Sequence, residues 1–361
     1  MKKTLIMMGL TLVLLVLLDL AVAGGLGWAE THGKLSSLVR YFDYGRSVPG
    51  KLAQWEASPG RPGNLYDVAW RSKIVSDSGV SFAEAPVPEG PVVRSYGMSF
   101  VRNILHQAQE VDPELVVDMH DGPGAPPNFT YALFLDDAAN RRPGDFAVLG
   151  ILSSAIPALG ALSNRTWVFE QPAPLTYPVF HPDGDGLRRV DPLIDSAAAQ
   201  RALRNDPAAA AAWAQQLAQE DLFYAPVTFG AAWLDYSPFA RLIRRALAKS
   251  HIARKKDEIL SGAYPYSEVL RRMIAGFAQT ARQEGQIPIV VLIQSREGED
   301  VLEIAKPVLE RDAIPYFATA EHFDPGDPSG FLGDGHYRPD IDRAFGAAFV
   351  DLIARLKVSE P

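Results

Sequence analysis

The alternation of apolar and polar positions divides the chain into unlike parts. After Lys2 and Lys3, an apolar stretch runs from Leu5 to Ala29, interrupted only at Asp19. It is long enough to cross a bilayer as a helix. It also contains Ala21-Val22-Ala23, the small-residue pattern of a signal-peptide cleavage site. Residues 1–30 are therefore expected to be either a cleaved signal or an uncleaved anchor. The basic start favours the cytoplasmic side for the N-terminus, which exports everything after it.

Residues 31–90 lose this regularity. DYGRSVPG, EASPGRPGN and APVPEGP are rich in turn-forming residues. Trp55, Tyr66 and Trp70 among them predict a stalk that packs on the rest of the protein. From Pro91 the pattern becomes that of a folded domain, 91–361. PVVRSY reads as a strand and SFVRNILHQAQEV as a helix, with Phe100, Val101, Ile104 and Leu105 near helical spacing. ELVVDMH, PPNFTYALFLDDA and GDFAVLGILSS continue as strand, helix and strand. A β-α-β-α-β run with short connections predicts a parallel sheet covered by helices.

The rhythm breaks over about 160–265. Two helices are expected there, DPAAAAAWAQQLAQEDLF and ARLIRRALAKSHIARKKDEIL, among proline-rich loops such as EQPAPLTYPVFHPDGDG. This segment reads as an insertion, and its basic run as a solvated helix face. Helix and strand then alternate again. YSEVLRRMIAGFAQTARQEG is a helix, and IPIVVLIQ has the unbroken apolar character of a central parallel strand. DVLEIAKPVLERD is a helix expected to start late or kink at Pro307. IPYFATA is a last strand, and IDRAFGAAFVDLIARL a closing helix.

Composition narrows the function. The chain has 361 residues, 47% hydrophobic, enough for a sizeable core. A net charge of −8 argues against a general nucleic-acid binder. There is no cysteine, so disulfides, thiolate metal sites and cysteine nucleophiles are excluded. His181, among the carboxylates of HPDGDG, has no spaced second ligand and reads as a loop residue. No metal and no cofactor is expected. Asn164-Arg165-Thr166 matches a glycosylation triplet but carries no weight without a glycosylating host. His106 is expected to be a half-buried helix residue.

Four segments could carry chemistry. Ser99 stands where a strand ends and a helix begins, so its hydroxyl lies beside the unpaired N–H groups of a helix N-terminus. Asp334 and His336, in GDGHYRP, can act as a pair in which the carboxylate orients the imidazole and the imidazole takes a proton. In HDGPGAPPNF, Gly122 and Gly124 permit close backbone approach and Asn128 can donate from its amide, while His120 and Asp121 could bind substrate. Ser153 and Ser154 end the third strand. All follow expected strands, and the carboxyl ends of parallel strands gather on one rim.

This arrangement resembles the SGNH/GDSL hydrolase family. YGMSF looks like the family's first block, with Ser99 as nucleophile. HDGPGAPPNF looks like the second, with Gly124 or Gly122 in the glycine position, and LGILSS falls at the third. GDGHYRP matches the last block, with Asp334 and His336. Met98 stands where the family usually has Asp, and Ser153 or Ser154 where it usually has Asn. The resemblance covers roughly 91–155 and 286–357. It implies a three-layer α/β/α sandwich with a flavodoxin-like central parallel sheet, carrying the helical insertion. It further implies a serine-dependent esterase or O-acyltransferase. Together with export, it points to an acylated envelope glycan or exopolysaccharide, or another ester, as substrate, at the periplasmic face of the inner membrane. Two alternatives stay open. One is a non-catalytic envelope protein on the same fold. The other is a lipid-directed hydrolase, which predicts an exposed apolar stripe on the 208–250 helices.

Overall fold

The structure, a computed structural model, describes residues 2–43, 53–58, 64, 66–67, 70–83, 90–168, 173–230 and 236–359. Much of the Gly- and Pro-rich stretch, 44–52, 59–63 and 84–89, lies outside the described residues, as do 169–172 of the proline-rich loop.

Five strands form one parallel sheet in the order β2-β1-β3-β6-β7. They are β1 (Val92–Gly97), β2 (Val116–Asp121), β3 (Phe146–Leu152), β6 (Ile287–Ile293) and β7 (Tyr316–Ala318). Every residue of β1 and β3 is buried, so helices cover both faces. On one face, α4 (Ser99–Val111) packs against α10 (Pro339–Ser359). On the other lie α5 (Pro127–Asp136) and α8 (Tyr266–Gln283), while α9 (Val301–Arg311) packs against α8 and β6. β1 leads outward to β2, whereas β3 starts the run in the opposite direction. The crevice between their carboxyl ends is the topological switch point, where open α/β sheets bind ligands.

Two close approaches set the position of α4. A Cβ on Gly150 of β3 would lie 2.5 Å from Val101 Cγ2, and one on Gly346 of α10 would lie 2.7 Å from the backbone of Gln107 and Ala108. Only the absence of side chains there lets α4 sit so near both elements.

β1 also carries Arg94, whose guanidinium is buried against Asp118 at 2.8 Å and Asp137 at 3.3 Å. The Tyr96 hydroxyl donates to Asp137 at 2.8 Å. Buried charges survive when paired and hydrogen-bonded in this way.

The stalk region contains a helix the sequence reading did not anticipate, α3 (Arg71–Ala83). Tyr66 and Trp70 are buried, and Arg71 bonds Asp136 at the end of α5. Within 160–265 the proline-rich loop contains a hairpin, β4 (Val179–Asp183) and β5 (Gly186–Val190), turning at Gly184 with φ of 52°. The two helices expected in the insertion are α6 (Pro207–Glu220), of 14 residues, and α7 (Pro238–Glu258), of 21 residues. Trp213, Leu217 and Phe223 join the main core. Contrary to expectation, α9 does not start late. It begins at Val301, capped by Asp300, and runs through Pro307.

At the N-terminus, α1 (Lys2–Thr31) is the one helix among the described residues long and apolar enough to cross a membrane. It is followed by α2 (Ser36–Asp43).

Candidate active site

The site begins at the end of β1. The chain leaves the sheet at Gly97, and Met98 caps α4 with extended backbone and no side-chain hydrogen bond. Ser99 is the first helical residue, so the first-turn N–H groups of α4 meet no capping side chain and remain beside its hydroxyl. Such donors favour a negatively charged oxygen.

The imidazole comes from the other end of the chain. The loop before α10 is a tight turn: Leu332 N–H donates to His336 O at 2.7 Å, Arg338 N–H to Gly330 O at 2.9 Å, and Gly335 takes a φ of 91°. Tyr337 anchors it, buried, with its hydroxyl on Gln294 O at the end of β6 and 3.0 Å from Thr319 Oγ1 after β7. His336 is thereby set with Nε2 2.7 Å from Ser99 Oγ. Its Nδ1 lies 3.2 Å from Asp334 Oδ2, and its backbone N–H donates to Asp334 Oδ1 at 3.1 Å. The His336 backbone amide, followed by its ring, holds the Asp334 carboxyl below the usual carboxylate range. With Nδ1–H on Asp334, Nε2 is the acceptor for the serine proton. Phe100 stacks on the imidazole, with centroids 4.5 Å apart and planes at 22°, which fixes the ring from one side.

The remaining sequence-predicted residues divide. Ser154 lines a cleft of about 410 Å³ with Phe100, Ser295, Arg296, Glu297 and Asp334. Ser153 is buried, and its hydroxyl is 2.7 Å from Ser295 Oγ while accepting the Ser295 N–H at 2.9 Å. Asn128 does not face this cleft as an open donor. It is fully buried, and its amide donates to the carbonyls of Ala158, Ala161 and Pro178, the last at 2.8 Å. Gly122 is a packing glycine, since a Cβ would strike the Phe129 ring, and its N–H donates to Gly97 O at 3.0 Å. Gly124 is exposed with φ of 57° and open space around it, so its need for glycine is conformational.

Compared with protein-family models, curated proteins and solved structures, the chain matches none.

Several expectations for polar residues change. His120 is buried away from solvent, 2.8 Å from Asp118 and against Arg94, so it belongs to the charged cluster under β1. Asp121 stays at the rim, opposite Gly97 in the sheet register, and burial pushes its carboxyl up to about 6. His106 is exposed. His181 pairs with Glu220 at 2.9 Å, and among the described residues no cluster could hold a metal.

Two features escaped the sequence reading. Ser295-Arg296-Glu297 form one wall of the cleft, although the rule that picked the other loops applies equally to a polar run after IPIVVLIQ. Asp342, on the first turns of α10, is buried against Asn103, 3.4 Å away, and feels the charge of His336. Burial raises its carboxyl to about 6. Its spacing from His336 gives no motif, and only the α4–α10 contact reveals it.

Proposed function

We propose that the protein is a serine-dependent esterase or O-acyltransferase of the SGNH type. The reading includes anchorage by α1 at the periplasmic face of the inner membrane. Its substrates are acyl esters of an envelope glycan or exopolysaccharide. The observation that carries the reading is the 2.7 Å contact between Ser99 Oγ and His336 Nε2, with Asp334 on the far nitrogen. These groups are 237 residues apart in sequence.

In this reading Ser99 Oγ attacks the ester carbonyl carbon as its proton passes to His336 Nε2. Asp334 stabilises the imidazolium. The first-turn N–H groups of α4 receive the oxyanion, since Ser153 and Asn128 already have partners. Collapse of the tetrahedral species expels the alcohol, which takes the proton from His336 and leaves an acyl-serine. Water or a sugar hydroxyl then loses its proton to His336 and takes the acyl group. The open cleft combines polar Ser154, Ser295, Arg296 and Glu297 with apolar Phe100, Phe331 and Leu332, a lining that can meet both the sugar and the acyl part of such an ester.

Turnover of p-nitrophenyl acetate by the full chain tests the reading, against Ser99→Ala and an octanoyl ester. A short-chain rate that falls at least about a thousandfold in Ser99→Ala supports it. Preference for the long chain would favour a lipid-directed hydrolase. A non-catalytic binding protein is the second reading, because Ser153 and Asn128 are both engaged in internal hydrogen bonds. It predicts no rate above that of Ser99→Ala.

A further inference from the structure

The insertion meets the N-terminal helix at one unusual point. Asp19 breaks the apolar run of α1, and it accepts hydrogen bonds from Ser237 Oγ at 2.6 Å and from Phe239 N–H at 3.0 Å. It thus serves as a second cap on α7, beside Ser237, whose own hydroxyl accepts from Ala240 N–H. An aspartate in an otherwise apolar helix is costly in lipid unless its charge is satisfied, and here the N-terminus of another helix satisfies it.

The burial of α1 changes at this level. Residues 2–17 are exposed on every side, whereas Leu18, Asp19, Val22, Leu26 and Ala29 are covered on one face. α7 runs from the Asp19 level toward the C-terminal end of α1. The sign is α2, which follows α1 and lies along α7 from Arg241, whose carbonyl accepts from the Tyr41 hydroxyl, to Ala248 and Ile252. A hydrocarbon core of about 30 Å takes about 20 helical residues. Counted from Leu5, such a span ends near Gly24. Asp19, and with it the first turn of α7, then falls roughly 8 Å inside the outer edge at 1.5 Å per residue.

The exposed surface of α7 has the chemistry for that position. Ile243 and Leu247 are exposed one turn apart on the helix, and Tyr236 is exposed just before it. Of its basic residues, Lys249 and Arg254 are exposed and Arg244 and Arg245 partly so, in a chain of net charge −8, while Arg241 is buried against Phe42. A basic helix with exposed apolar positions is the form that lies at a membrane surface and favours anionic lipid.

We propose that the first turns of α7 are seated in the outer-leaflet interface of an anionic phospholipid bilayer, fastened to the anchor by Asp19. This rests on the reading of α1 as a retained anchor. It adds that the insertion holds the domain at the lipid surface. Cleavage after Ala23 would remove the residue that caps α7.

The cysteine-free chain allows single-site labelling. Full-length protein carrying Leu12→Cys, Ile243→Cys, Leu247→Cys or Asp351→Cys is labelled with an environment-sensitive nitrobenzoxadiazole dye. It is reconstituted in phosphatidylcholine vesicles with and without phosphatidylglycerol. The proposal expects nitroxide-lipid quenching at 12, 243 and 247, stronger at 243 and 247 with phosphatidylglycerol, and iodide quenching at 351. Asp19→Leu should release 243 and 247 to iodide while 12 stays in lipid, and Asp19→Asn should keep them seated. Water-exposed labels at 243 and 247 with 12 in lipid would overturn the seating and leave the anchor intact. A water-exposed label at 12 would overturn the anchor and the seating together. Equal quenching in both vesicle types would overturn the anionic preference.

Discussion

At the scale of residues, the site depends on where two side chains end up. Asp334 is 67% exposed, so solvent and salt screen its hold on His336. Asp334→Asn should therefore lower kcat by only about ten- to a hundredfold, well short of the loss in Ser99→Ala. Ester turnover across a salt series checks this, and a loss equal to that of Ser99→Ala would show a stronger dependence on Asp334. Met98 stands where the resembling family has Asp, and here it is fully buried in the core. Met98→Asp should destabilise by about 3 kcal/mol or more, because an unpaired carboxylate would be placed in an apolar site. A drop in Tm by calorimetry checks it. These residues were unequally legible in the sequence. Ser99 stands at a strand end, and Asp334 and His336 stand in a Gly-bounded loop before the last helix, contexts that mark them locally. Asn128 has the same kind of context, yet its amide turns inward to three carbonyls. Which way a side chain turns depends on packing that local sequence does not encode.

At the scale of elements, the catalytic distance is a consequence of helix packing. α4 carries Ser99 and α10 follows His336, and their backbones touch at Gly346. Gly346→Val should push the helices apart, cost about 2 kcal/mol in stability and lower turnover at least tenfold, although residue 346 is remote from the substrate. Calorimetry and initial rates together check this, and unchanged rates would mean the loop at 333–336 holds its place through Tyr337 alone. The main strands and helices were legible because their apolar runs and periodicities agree with their final burial. The hairpin 179–190 was hidden by prolines, although its Asp-Gly-Asp-Gly run is a turn signal. α3 was hidden because its Ser- and Gly-containing sequence has little amphipathic pattern.

At the scale of the whole molecule, burial of carboxylates ties stability to pH. Asp221 is buried, accepting from Leu162 N–H, Phe223 N–H and Thr166 Oγ1, and burial pushes its carboxyl up to about 7. Unfolded, it would ionise near 3.9. The folded state therefore keeps a proton that the unfolded state releases. The contribution is fully present below about pH 4 and is lost as pH rises toward 7. At about 1.4 kcal/mol per unit, the loss is of order 4 kcal/mol. Asp221→Asn should flatten the fall in stability over that window in urea titrations, and an unchanged slope would locate the proton elsewhere. The insertion that holds Asp221 was legible as a break in rhythm. Its part in the main core was not, because Trp213 and Leu217 lie in an alanine-rich helix with little apolar contrast.

The central claim is that Ser99 is activated by His336. The direct test is labelling of the full-length protein with a fluorophosphonate, read by intact mass and peptide mapping, beside Ser99→Ala and His336→Ala. The account predicts one adduct, on Ser99, absent in Ser99→Ala and greatly slowed in His336→Ala. A folded protein that takes no adduct, while a known serine esterase labels in the same tube, would contradict it and leave Ser99 as a helix-start residue.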